Sequence, residues 1–92
     1  MMKIDSRYKL HQVAGEWILM LLGEAGGEPT RVIAFNETSV ELWRTFEGRE
    51  FDRQDVMDYL YSHYDVEMNQ ARMDANLWVD TLLKYGVVQR DS

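Results

Sequence analysis

His11, His63, sixteen Asp+Glu and no cysteine are what this chain offers for acid–base or metal chemistry. A transition-metal site needs several histidine, carboxylate or thiolate ligands at helical or hairpin spacing. His11 and His63 are far apart in sequence, and only Asp65 and Glu67 neighbour the second of them. Those residues fall at what reads as a helix end, where polar side chains are ordinarily solvated. Asp52, Asp55 and Asp58 recur every three residues. A two-carboxylate mechanism needs its groups facing across a cleft, whereas these lie along one short helix as a cap and a solvated face. Without cysteine there is no thiol nucleophile, disulfide, cysteine-held zinc or protein-held iron–sulfur cluster. Ser6, Ser39, Ser62 and Ser92 carry no nucleophile motif. The loop Gly23-Glu-Ala-Gly-Gly-Glu28 is glycine-rich, but no Lys-Ser/Thr or helix follows and its glutamates would repel phosphate, so it reads as a hairpin loop. The expectation is a protein that is not an enzyme and needs no metal and no cofactor.

The elements that carry these residues must fit into 92 residues, the size of one domain. Hydrophobic residues at 46% supply one core, and its stability must come from packing. The net charge of −6 argues against general nucleic-acid binding, which wants a basic surface. The longest apolar run, Trp17 to Leu22, is far short of the roughly 20 residues that span a bilayer. Met1 to Arg7 is polar and has no signal-peptide character. The expectation is a soluble cytoplasmic protein with no membrane partner.

Strand signals come first along the chain and helix signals after. Tyr8, Leu10 and Gln12 alternate with Lys9 and His11, and Ala14-Gly15 interrupts them as a turn. Trp17 to Leu22 reads as a strand buried on both faces. Gly23 to Pro29 reads as a loop with Gly26-Gly27 as its turn, and Thr30 to Phe35 as a third, β-branched strand. Short turns make these an antiparallel meander, with Leu22 and Arg31 as approximate cross-strand neighbours. Asn36 caps a helix with Val40, Leu42, Trp43 and Phe46 on its apolar stripe and Gly48 after its end. Asp52 caps a second, with Asp55 in its first turn and Phe51 stapled onto Val56. A third runs from about Met68 to Tyr85, stops at Gly86 and lacks an Asp, Ser or Thr cap at Glu67-Met68-Asn69. Its buried face is Ala71, Ala75, Trp78 and Leu82 beside Val79. Val87-Val88 adds a short extended tail. The fold class is α+β: a three-stranded antiparallel sheet followed by three helices, winged-helix-like, in a single domain over 1–92 with its core at about 8–88.

A winged-helix shape raises DNA binding, with the third helix as reader. From Glu67 to Tyr85, Arg72 and Lys84 are outnumbered by Glu67, Asp74 and Asp80, a net of −1, which does not suit a major groove lined by phosphates. Arg49 and Arg53 sit among Glu47, Glu50, Asp52 and Asp55. Trp43 and Trp78 lie at core positions of their helices, and Trp17 opens its strand as core or rim. Leu77 and Met73 lie well off the third helix's buried face, either as scattered surface hydrophobes or as an apolar flank that binds a partner.

One order of residues is more specific than any of its parts. Tyr8-x-Leu10, Val13-Ala-Gly-Glu-Trp17, Leu22-Gly-Glu-Ala25, Ile33-Ala-Phe-Asn-Glu-Thr38, Trp43, Gly48, His63-Tyr-Asp-Val66 and Leu82-Leu-Lys-Tyr-Gly86 follow one another at these spacings. From about Tyr8 to Val88 the chain resembles the coenzyme PQQ synthesis protein D (PqqD) family, the RiPP recognition elements. The resemblance implies a non-enzymatic peptide chaperone. It would bind the leader of a ribosomally made precursor peptide and present it to a modifying enzyme, often a radical SAM protein, in PQQ or other RiPP biosynthesis. It implies a leader added as a strand along Arg31, Val32, Ile33, Ala34 and Phe35, facing Asp74, Leu77, Trp78 and Thr81 of the third helix. It leaves open which precursor is bound and whether the chain acts alone, as a homodimer or docked on its enzyme. The alternative is a structural or regulatory protein-interaction module of winged-helix fold, with a DNA-binding module behind it.

Overall fold

The computed structural model describes residues 1–22 and 30–90. Its elements are β1 (Met2–Ile4), β2 (Tyr8–Val13), β3 (Glu16–Leu21), β4 (Thr30–Phe35), α1 (Glu37–Phe46), α2 (Arg53–His63), α3 (Met68–Lys84) and β5 (Val88–Arg90). The α+β arrangement of an antiparallel meander followed by three helices is present, with strand order β2-β3-β4. A second antiparallel pair, β1 with β5, joins the two ends of the chain. The sequence reading has no strand before Tyr8. Met-Lys-Ile is too short to show a period, and its partner Val88 lies at the other end of the sequence. Met2 and Ile4 are nonetheless buried in the core with Val88.

The β2–β3 hairpin closes tightly because Val13 faces Glu16 and only Ala14-Gly15 lie between them. Both turn residues have positive φ, +52° and +83°, the primed turn whose twist matches that of the strands it joins. In β3, Leu19 is fully buried in the core, while Ile18, also buried, lies on the other face between His11 and Ala34. Burial on that second face is confined to Ile18, since Glu16 is exposed and Met20 half-buried, so the strand is less enclosed than the short apolar run predicts.

The β3–β4 register breaks once. Leu19 pairs with Ile33 but Met20 pairs with Arg31, so Val32 is an extra residue in β4. Arg31 therefore faces Met20, not Leu22, since core packing of the Leu19–Ile33 and Trp17–Phe35 pairs sets the register. The expected loop and Gly26-Gly27 turn lie outside the described residues.

The helices begin where their caps require. Asn36 accepts the Ser39 N–H at 2.8 Å, and α1 buries Val40, Leu42, Trp43 and Phe46 before Gly48 turns away at φ +81°. Asp52 and Asp55 form a reciprocal capping box at 2.8 and 3.0 Å. Phe51 just before it and Val56 are both fully buried. α3 starts after Glu67, which makes no side-chain cap bond, and ends one residue earlier than expected, with Tyr85 as its C-cap. Ala71, Ala75, Trp78, Val79 and Leu82 are its buried face, as the wheel requires. Trp17 is a rim residue, half-buried beneath the Arg44 guanidinium 5.0 Å from its ring centre. Among the described residues no helix is long and apolar enough to cross a membrane.

Candidate functional site

β4 is the last strand of its sheet, and among the described residues no strand pairs with its outer side. Such an edge presents a row of unpaired backbone N–H and C=O groups. Beside it runs a groove of about 320 Å³. Ile33, Ala34 and Phe35 form its strand wall, and Asp74, Leu77, Trp78, Thr81 and Leu82 form its helix wall. The start of α1 closes it with Asn36, Thr38, Ser39 and Leu42, and Leu60 of α2 contributes from below.

Of the residues expected to act together, Ile33, Ala34, Phe35, Asp74, Leu77, Trp78 and Thr81 converge on this groove. Val32 does not line it. The bulge lets Val32 and Ile33, neighbours in sequence, both pack against the core. Arg31 is placed by its backbone opposite Met20, beyond the bulge. The groove residues that sequence reasoning missed are Asn36, Thr38, Ser39, Leu42, Leu60 and Leu82. Asn36 is visible as a cap, but nothing local says that the start of α1 abuts the edge of β4.

The floor and rim differ in character. Trp78 is 7% exposed and belongs to the core, whereas Leu77, its neighbour, is 69% exposed on the rim. The Trp78 indole N–H is buried with no acceptor. The Thr81 hydroxyl donates back to the Leu77 carbonyl at 2.7 Å, and Asn36 is occupied by its cap. Asp74 is the one ionisable side chain on the groove lining among the described residues, half-buried and accepting from Gln70 Nε2 at 2.8 Å. Apolar walls beside an open strand edge suit an extended peptide, whose backbone completes the ladder while its side chains fill the groove.

The other chemistry-bearing residues do not assemble into a site. His63 is exposed, stacked on Tyr59 with ring centres 4.0 Å apart, its Nδ1 3.0 Å from the Tyr59 carbonyl oxygen. His11 is exposed on β2. Asp58 accepts from Gln54 at 2.8 Å along its own helix. No group of three or more histidines and carboxylates that could hold a metal ion occurs among the described residues. Two arginines that a DNA-binding reading would need are already engaged. Arg53 donates to Asn76 and Asp80, tying α2 to α3, and Arg49 lies 5.0 Å over the Phe46 ring.

No curated protein matches this sequence. Two solved structures share the fold. The TbiB1 complex with the TbiA(beta) leader peptide superposes with a TM-score of 0.70 at 14% identity, covering 98% of each chain. A lasso peptide synthetase B1 complexed with its leader peptide superposes with a TM-score of 0.65 at 23% identity, covering 97% of this chain and 98% of that one. Residues 1–88 match the family described as coenzyme PQQ synthesis protein D (PqqD), and the chain belongs to that family.

Proposed function

We propose that this chain binds the leader segment of a ribosomally made precursor peptide in the groove between β4 and α3, and presents it to a modifying enzyme without catalysing a step itself. The observation that carries the reading is the unpaired edge of β4 running beside an apolar groove whose rim residue, Leu77, is exposed. Membership of the PqqD family supports it, as do two structures of the same fold that are complexes with leader peptides. β-Augmentation supplies main-chain hydrogen bonds that are largely blind to sequence, and the groove supplies selectivity. The regular stretch of the edge nearest the groove is Ile33–Phe35, and the bulge at Val32 separates it from Thr30 and Arg31. The enzyme, of radical SAM or related type, would hold any cluster, since this chain has no cysteine. The setting is the cytoplasm, where precursors are made, and the groove asks for no second copy of the chain.

Fluorescence anisotropy with labelled synthetic leaders, taken from short precursor genes beside this one, tests the reading. Saturable binding that is lost in Leu77→Asp is expected. Binding of no leader, or binding indifferent to Leu77, would leave a plain protein-interaction module as the better account.

A further inference from the structure

We propose that Asp74 makes the groove charge-selective: it admits leader segments that carry a lysine or arginine two residues from an apolar anchor, and rejects acidic ones. This rests on the groove reading above and specifies its ligand.

Asp74 is half-buried on the α3 wall, with Leu77 and Trp78 on the next turn. Gln70 satisfies one carboxylate oxygen. None of the ion pairs among the described residues uses Asp74; they join Arg7 to Asp5, Lys9 to Glu47 and Arg53 to Asp80. An occupant of the groove would strip water from this carboxylate. A desolvated charge without a partner is costly, so the occupant must return a donor, and a cation returns most. The same carboxylate repels Asp or Glu, so one residue supplies both the attractive and the rejecting element. The net charge of −6 adds long-range attraction for a basic segment.

The spacing follows from two periodicities. Asp74 and Trp78 are four residues apart on one helix face, a rise of roughly 6 Å. Alternate residues of an extended peptide, which point to the same side, are about 6.6 Å apart. A strand lying along α3 therefore places its basic residue and its apolar anchor at positions i and i+2, in one order or the other.

A displayed library of random peptides, selected in parallel on the full chain and on Leu77→Asp, provides the test. Peptides retained only by the unaltered chain should share Lys or Arg two residues from a large apolar residue. A synthetic peptide of that sequence should bind Asp74→Asn about tenfold more weakly, as for a partly desolvated ion pair. Its Lys→Glu counterpart should fail on the unaltered chain and recover on Asp74→Lys. Leu77-dependent peptides with no basic residue, or unchanged affinity in Asp74→Asn, would overturn the selector and leave the groove reading intact. No Leu77-dependent peptide at all would overturn both.

Discussion

Leu77 and Trp78 are adjacent, yet one is 69% and the other 7% exposed, so their substitutions should separate binding from folding. Leu77→Asp places a carboxylate where the free protein is already wet, and its melting temperature should change little. The apolar anchor of a bound peptide would cover that carboxylate and strip its water, at a cost of several kcal/mol, and lower affinity roughly a hundredfold. Unfolding of Leu77→Asp in a thermal melt would show that the rim is part of the core. A second single-residue effect depends on pH. The Arg7 side chain and then its backbone N–H donate to Asp5 and hold that carboxyl below its ordinary value of 3.8, against the opposite push of burial. A carboxylate with a depressed folded pKa contributes stability above the unfolded value, and that contribution disappears as pH falls through the folded one. The melting temperature of Asp5→Asn should therefore lie below that of the unaltered chain at pH 7. The gap should close below pH 3.8, as melts in a pH series would show.

At the scale of elements, whatever is written in neighbouring residues was legible in the sequence. The Asn36 cap, the Asp52–Asp55 box and the buried stripe of α3 each depend on residues within a few positions of one another, and each is present. The bulge was not legible, because it arises where Leu19 pairs with Ile33 while Met20 pairs with Arg31, a register set between two strands and not within either. Nor was the contribution of Asn36, Thr38 and Ser39 to the groove, which depends on how α1 packs against β4. The candidate site was legible to the extent that the resemblance named one strand and one helix. The bulge then removed Val32 from the groove lining. The β2–β3 hairpin offers a test of local reasoning. Ala14 adopts φ +52°, which an alanine side chain disfavours and an asparagine tolerates better. Ala14→Asn should stabilise the protein by about 0.5–1 kcal/mol, read as a higher urea midpoint with unchanged slope. An unchanged or lower midpoint would mean that Ala14 carries no strain.

At the scale of the molecule, β1 holds distant parts of the chain together. Met2 exchanges backbone hydrogen bonds with Phe51 at 2.6 and 2.9 Å, and faces Arg90 in β5. Phe51 in turn packs its ring 5.0 Å from Phe46 and 6.3 Å from Trp78, whose indole lines the groove. β1 thus meets a residue that packs behind the groove wall, while no β1 or β5 residue lines the groove itself. Deleting residues 1–4 removes two side chains that are at least nine-tenths buried, Met2 and Ile4. At about 1.5–3 kcal/mol each, the loss is comparable with the whole stability of a small domain. The deletion should lower the urea midpoint sharply in a single transition, because the lost contacts belong to the same core as Leu19 and Trp43. Where the truncated chain remains folded, at low temperature and without denaturant, its affinity for a leader should stay close to that of the full chain. The groove-lining residues themselves are untouched. A truncated chain that is folded by circular dichroism but binds no leader would instead show that the Met2–Phe51–Trp78 relay sets the shape of the groove, and would move β1 from scaffold to site.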